Sequence, residues 1–197
     1  MVVAVIPAAG SSSRMRFPKG ALRVGGSSLL QLNCNALLQH VTSVVVVLGW
    51  SSVLVARGLP EQVKRIHAPD WLGGSQADSV RLALLGLPRC SVLVQPADVP
   101  PPSTALLEAL LASGASAVPC FEGDPGHPVV LGPDEVDRLR IESPEEGLRT
   151  LLVGARRVPV HDPGVTRNLN NPRELARWLR CRSPQRCCSG DGRPPTR

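Results

Sequence analysis

Three short runs of continuous aliphatic residues constrain this chain most: "VVAVI" at 2–6, "SVVVVLG" at 43–49 and "SVLVQ" at 91–95. Each has the length of a strand, and none alternates as a strand with one wet face would, so each must be covered on both sides. Segments with apolar residues at helical spacing lie between them. They include "SLLQLNCNALLQH", the short "SSVLVARGL", and "SQADSVRLALLGL", which Ser75 opens with Asp78 in its first turn. "STALLEALLASG" comes next, with Ser103 or Thr104 as cap and Gly114 near its end. Further strands are expected at "RIHA", "ASAVPC", "HPVVLG" and "RRVPVHD", short helices at "PDEVDRLR" and "SPEEGLRTLLV", and a closing helix at "NPRELARWLR". Strands alternating with helices predict an α/β, three-layer α/β/α sandwich with a mostly parallel sheet. Residues 1–180 read as a single domain, and 181–197 as a basic tail of Arg, Pro, Ser and Cys that is expected to be disordered.

In sheets of this kind ligands bind beyond the carboxyl ends of the strands, and two loops stand there. The first, "PAAGSSSRMRFPKG", comes directly after the first strand. It is neither a Walker A loop nor a Gly-x-Gly-x-x-Gly fingerprint. Its composition suits an anion nonetheless. Ala8, Ala9 and Gly10 allow a ligand to approach the backbone, whose successive N–H groups can cradle phosphate oxygens. Ser11, Ser12 and Ser13 add hydroxyls, and Arg14 and Lys19 add positive charge. Lys19 is one of only two lysines, beside twenty arginines, so lysine at this place is a departure from the chain's habit. The second loop, "QPADVPPPS", carries Asp98 at the end of a strand, on the same rim, between stiffening prolines. A carboxylate facing a cationic phosphate pocket is what a Mg²⁺–nucleotide site requires, although an aspartate in a turn also serves as a cap. A third stretch, "TRNLNNPRELARWL", places Asn168, Asn170 and Asn171 before a proline-started helix. There asparagine can cap the helix or complete the shell of a hard cation.

The net charge of +6 invites a nucleic-acid reading, but most of that excess sits in the last 21 positions, which hold six arginines and one acid, and the rest of the chain is close to neutral. Aromatic residues are 3% of the chain, too few for stacking platforms, so nucleic acid is not the expected partner. The longest apolar run is of strand length, which excludes a membrane span, and the first residues lack a basic segment and a cleavage site, so a cytoplasmic location is expected. Cys34, Cys90 and Cys120 read as buried small residues. Cys181, Cys187 and Cys188 fall in the tail, and no Cys-x-x-Cys is present to suggest zinc.

Taken in order, these motifs resemble the nucleotidyltransferases with a MobA-like fold. "IPAAGSSSRMRFPKGALRVGGSSLL" resembles the family signature, and the five-residue step from Arg14 to Lys19 matches the molybdenum cofactor branch. "QPADVP" resembles the magnesium-binding loop, with Ala97 in place of glycine, and "GGSQADSV" the base-recognition loop. "NLNNPREL" resembles the closing motif, with Asn171 in place of threonine and Arg173 and Glu174 in place of an acidic pair. "GHPVVLG" with the later "EEGLRTLL" is similar to the cytidylyltransferase of the molybdenum cofactor.

The resemblance spans roughly residues 2–180 and implies a Rossmann-like fold of the nucleotide-diphospho-sugar transferase type. It implies Mg²⁺-dependent transfer of CMP or GMP from a nucleoside triphosphate to a phosphorylated acceptor, molybdopterin or its molybdenum-loaded form, with release of pyrophosphate. Arg14 and Lys19 would hold the phosphates, Asp98 the metal, and Asn170 a second metal position. Ala8, Ala9, Gly10, Gly74 and Ser79 would frame ribose and base, and His127 would order the acceptor loop or simply pack. "Ala-Ala-Gly" resembles the cytidine-using branch, and the methyl of Ala9 narrows the base pocket, which favours CTP over GTP. A molybdoenzyme or chaperone is the protein partner the resemblance implies; the oligomeric state is left open. The rival readings are a guanylyltransferase or sugar-phosphate nucleotidyltransferase of the same fold, and a nucleotide-binding pseudo-enzyme acting through a partner.

Overall fold

The computed structural model describes residues 1–10, 18–49, 52–69, 74–170 and 172–181. Its elements keep the expected alternation. Strand β1 (Val2–Ala8) leads to a 3-10 turn (Lys19–Ala21), a two-stranded hairpin of β2 (Arg23–Val24) and β3 (Ser27–Ser28), and helix α1 (Leu29–Leu38). Then come β4 (Ser43–Leu48), α2 (Ser52–Ala56), β5 (Lys64–His67), α3 (Gln76–Leu84), β6 (Ser91–Val94) and α4 (Thr104–Leu111). The second half holds β7 (Ala117–Phe121), β8 (Asp124–Pro125), β9 (Val129–Leu131), α5 (Pro133–Ile141), a 3-10 turn (Leu148–Leu152), β10 (Arg156–Pro159), a second such turn (Pro163–Thr166) and α6 (Pro172–Cys181).

The main sheet has the order β10-β7-β9-β6-β1-β4-β5, with β8 added beside β7. β6, β1, β4 and β5 run parallel, as do β10 and β7, and β9 runs against both of its neighbours. The prediction of a mostly parallel α/β/α sandwich holds. The runs of valine explain it. Ala4, Ile6, Val44, Val46, Leu48 and Leu93 point to one face, where Leu30, Cys34 and Leu37 of α1 and Leu106, Leu107 and Leu110 of α4 meet them. Val3, Val5, Val45, Val47, Val92 and Val94 point to the other, against Ala77, Val80, Ala83 and Leu84 of α3 and Val136 and Leu139 of α5. Each valine so buried contributes about 1.5–3 kcal/mol, which neither face could supply if it were open to water.

The helix starts are those the sequence marks. Ser28 and Gln31 form a reciprocal capping box at α1, and Ser75 and Asp78 form one at α3. Of the two candidate caps of α4, Ser103 is used, its hydroxyl accepting from the N–H of Leu106. The stretch "SPEEGLRTLLV" differs from expectation: no helix forms until Leu148, because Gly147 adopts φ +82°, which interrupts a right-handed turn. The β2–β3 hairpin is not marked in the sequence either. It turns on Gly25, at φ +62°, and the adjoining Gly26.

A third, smaller core lies at the end of α1. Leu29 packs there with Leu169 and with Trp178 of α6. The three cysteines expected inside are buried and unpaired, and burial pushes the Cys34 thiol up to about 12, so it is inert as a nucleophile. Among the described residues no helix is long and apolar enough to cross a membrane. Residues 182–197, with Cys187 and Cys188, lie outside the described residues.

Candidate functional site

A cleft of about 660 Å³ opens where the parallel strands end. Its floor is the end of β1 and the start of the adjoining loop: Pro7, Ala8, Ala9 and Gly10. On one side stand Ala68 and Pro69 after β5, together with Val55 of α2. On the other stand Pro96, Ala97 and Asp98 after β6. The first turns of α3 form the back, from Gly74 and Ser75 through Ser79 and Leu82 to Leu85 beyond its last turn. The structure therefore brings Ala8, Ala9, Gly10, Gly74, Ser79 and Asp98 to one cavity.

The glycines in this region have different reasons. A Cβ on Gly20 would meet Val55 Cγ1 at 3.1 Å and Leu30 Cβ at 3.5 Å, so packing alone keeps that residue small. A Cβ on Gly10 would have no described atom within 4 Å, and Gly10 does not have a positive φ. Neither strain nor packing among the described residues calls for glycine at that point of the cleft, whereas close approach of a ligand would. Ala9, by contrast, is 4% exposed and packs into the core, so its methyl is a fixed part of the floor.

Asp98 sits in a tight turn, Val99 N–H donating to the carbonyl of Pro96 at 3.2 Å. Its own carbonyl accepts from the N–H of Leu169 at 2.7 Å. That bond brings the segment before α6 to the cleft, which places Asn170 one residue from the contact with the Asp98 backbone. The N–H of Asn170 donates to Glu174 Oε2 at 2.5 Å, so the glutamate that stands where an acidic pair was expected fastens the entry to α6. Asn168 precedes this contact, and Asn171 lies outside the described residues. Ser11, Ser12, Ser13 and Arg14 also lie outside them, and Lys19 is described only as the first residue of its 3-10 turn.

His127 is not part of the cleft wall. It enters from the start of β9, its N–H held by the carbonyl of Val165 at 2.8 Å. The preceding Gly126 is required for this: a Cβ there would collide with the backbone carbonyl of Val165. Burial pushes the imidazole of His127 below its usual range, and the charge of Asp98 opposes this in part. His127 is therefore neutral near pH 7, and its Nδ1 is buried with no hydrogen-bond partner among the described residues. Also among the described residues, no three His, Cys, Asp or Glu side chains cluster as a self-sufficient metal site.

The apolar wall made by Val55, Ala68, Leu82 and Leu85 was missed in the sequence. The signal was there in α3. Its core stripe is Ala77, Val80 and Leu84, and the stripe Ser75, Asp78, Ser79, Leu82, Leu85 recurs at the same three-to-four spacing on the face turned to the cleft.

A family model described as MobA-like NTP transferase domain matches residues 4–159. Among solved structures, the chain is similar to Rv0371c from Mycobacterium tuberculosis H37Rv, with TM-score 0.79 and 19% identity, covering 91% of this chain and 97% of that one. The same mycobacterial protein has also been solved in complex with manganese. The nucleotidyl transferase Mth528 from Methanothermobacter thermautotroptrophicus superposes with TM-score 0.77 at 20% identity, covering 92% and 97%. The 2-C-methyl-D-erythritol 4-phosphate cytidylyltransferase from Thermus thermophilus does so with TM-score 0.64 at 19% identity, covering 92% and 98%. No curated protein matches the sequence significantly.

Proposed function

Because the chain belongs to the family of MobA-like NTP transferase domains, we propose that it transfers CMP from CTP to a phosphorylated acceptor of the molybdopterin type, releasing pyrophosphate. The observation that carries this reading is the space above Gly10, which no described atom fills, at the end of the strand beside the one that delivers Asp98. A triphosphate lying over the β1 loop would reach Asp98 across the cleft.

A divalent cation suits this donor set. Mg²⁺ takes one or two carboxylates and completes its shell with water and substrate phosphates, so one aspartate in a nucleotide cleft is enough. The manganese complex of the similar mycobacterial protein supports the same view. Asp98 and Asn170 would hold the ion, which when bound neutralises charge on the phosphates. The remaining work belongs to the chain. The backbone of Ala8, Ala9 and Gly10, with Ser11, Ser12 and Ser13, cradles the triphosphate, and Arg14 and Lys19 bind its oxygens. Gly74 and Ser79 frame ribose and base, and the apolar wall of Leu82 and Leu85 takes a face of the base. An acceptor phosphate oxygen attacks the α-phosphorus in line; that bond forms as the bond to the β-phosphate bridging oxygen breaks, and pyrophosphate leaves. Positioning and charge neutralisation supply most of the rate. Neutral His127, behind Asp98, orders the acceptor loop. CTP is favoured because the Ala8-Ala9-Gly10 stretch resembles that of the cytidine-using branch. Residues 1–180 form the working unit and 181–197 a basic extension that takes no part in turnover. A cytoplasmic location, with hand-over of product to a molybdoenzyme or its chaperone, goes with this reading.

Pyrophosphate release with each of the four triphosphates, with and without molybdopterin, tests it. Release with CTP and molybdopterin is expected. Release only with GTP, or only with a sugar phosphate, would reassign the substrate. CTP binding with no release under any condition would leave a pseudo-enzyme.

Gly10→Ala separates the ligand's demand from the protein's. The methyl meets no described atom, so Tm should stay within about 2 °C of the parent, while CTP affinity by calorimetry should fall about tenfold, or ~1.4 kcal/mol. Parent-like affinity would mean that the triphosphate does not pass over this residue.

A further inference from the structure

The loop that carries Asp98 is poor in hydrogen-bond donors. Pro96, Pro100, Pro101 and Pro102 have no N–H, yet their carbonyls and that of Val99 still need partners. Two side chains from the core meet that need at Val99 and Pro100. Asn33 of α1 and Gln95, the residue after β6, are both fully buried among aliphatic neighbours. Gln95 Nε2 donates to Asn33 Oδ1 at 2.9 Å, to the carbonyl of Pro100 at 3.1 Å and, more weakly, to that of Val99 at 3.4 Å. Asn33 Nδ2 donates to the carbonyls of Val99 at 3.1 Å and Leu29 at 3.2 Å. Every group facing the Gln95 amide nitrogen is an acceptor, so the amide cannot flip. Its Oε1 is left buried with no partner among the described residues. An apolar side chain would fill this volume without that cost. Two amides persist here, and both reach into the two residues after Asp98.

We propose that Asn33 and Gln95 are positioning residues, which lock the Asp98 turn to α1 and to the end of β6 so that the carboxylate meets a cation and triphosphate in one fixed geometry. The proposal rests on the nucleotidyltransferase reading of the cleft and names two residues of that site. They touch neither ligand; they act through Asp98. The turn is then held on three sides: by the amide pair after it, by Leu169 N–H on its carbonyl, and by Gln95 N–H donating to the carbonyl of Val5 before it, at 3.1 Å. Buried amides whose N–H groups all meet acceptors specify one arrangement, where apolar packing would tolerate several.

The test uses Gln95→Met, which keeps length and volume, and Asn33→Leu, which removes the same donors from the other partner. Amide hydrogen exchange is measured in the nucleotide-free protein, and turnover is measured with CTP and Mg²⁺. Exchange at Ala97, Asp98 and Val99 should quicken at least about tenfold in both variants, with β1 and β4 unchanged. kcat should fall at least about tenfold, while KM for CTP moves less than about twofold, because the backbone cradle is untouched. A protein that merely lost stability would exchange faster throughout, and its folded fraction would keep the parent kcat. Unchanged exchange in the turn in either folded variant overturns the proposal, whether or not the parent is active. Faster exchange with parent kcat overturns it as well, since the turn would then be braced for folding alone. If the parent itself releases no pyrophosphate with any triphosphate, the reading of the cleft fails separately. In that case the stabilisation of the parent by Mn²⁺ with CTP, read as a Tm shift, replaces turnover: its loss in both variants supports the proposal, and its persistence overturns it.

Discussion

Asp98→Ala should lower turnover at least about a thousandfold, corresponding to ~4 kcal/mol of transition-state stabilisation, and leave the fold as it is. The two halves of that result have different causes. The anchors described for the turn, Val99 N–H to Pro96, Leu169 N–H to the Asp98 carbonyl and the Asn33 and Gln95 amides on Val99 and Pro100, do not use the Asp98 carboxylate, and all survive its truncation. Asp98 also lines the wet cleft, so little apolar packing is lost. What disappears is, among the described residues, the only carboxylate on the β6 side of the cleft. Asp98→Asn, which keeps shape and one neutral oxygen, should recover part of the loss as Mg²⁺ is raised. Steady-state kinetics of the three proteins, beside their melting curves, decide the matter. Turnover of Asp98→Ala at the parent rate in saturating Mg²⁺ would remove this residue from the mechanism.

Trp178→Ala should cost about 3–5 kcal/mol of stability, the range for deleting a large buried aromatic side chain. For a chain of this size Tm should then fall by roughly 6–20 °C. Trp178 is 6% exposed and closes the small core with Leu29 and Leu169. Since the N–H of Leu169 holds the carbonyl of Asp98, the damage should not stop at α6. Even well below the new Tm, the variant should need more Mg²⁺ for half-maximal turnover. Trp178→Phe keeps most of the buried area and should lie much nearer the parent on both measures. A Tm within about 2 °C of the parent for Trp178→Ala would show that α6 contributes little to the folded state.

Much of this was legible in the chain because it depends on local rules. Continuous valines declare strands covered on both faces, and Ser75 and Ser103 declare helix starts through the hydrogen bonds they make three residues on. The small residues after β1 and the aspartate after β6 stand where strands end. Other features depend on distance in sequence. Asn33 and Gln95 are 62 positions apart, and neither has a neighbour that marks it as polar for a reason. Read alone, Asn33 looks like a weak spot in a helix. The wall of the cleft was hidden for a milder reason: Leu82 and Leu85 look like core leucines until the other stripe of α3 is known to be the core. Gly147 shows the limit of a local rule, since the acids and leucines around it read as helix and its positive φ does not.

Strand β9, reversed between β6 and β7, bears on how such a molecule can change. A parallel strand delivers its end to the ligand rim, but β9 delivers its beginning. The segment before it, Gly126 and His127, therefore arrives at the rim from outside the β5-β4-β1-β6 block. The rim is thereby split between two separately encoded halves. One half is built by residues up to about 98 and the other by the loops around 121–128 and 160–170, and the bond from Leu169 N–H to the Asp98 carbonyl joins them. Substitutions in the second half can alter what is presented opposite the first without moving the floor beneath Gly10. A lineage could exchange one recipient of the transferred group for another while its donor chemistry stayed under unbroken selection.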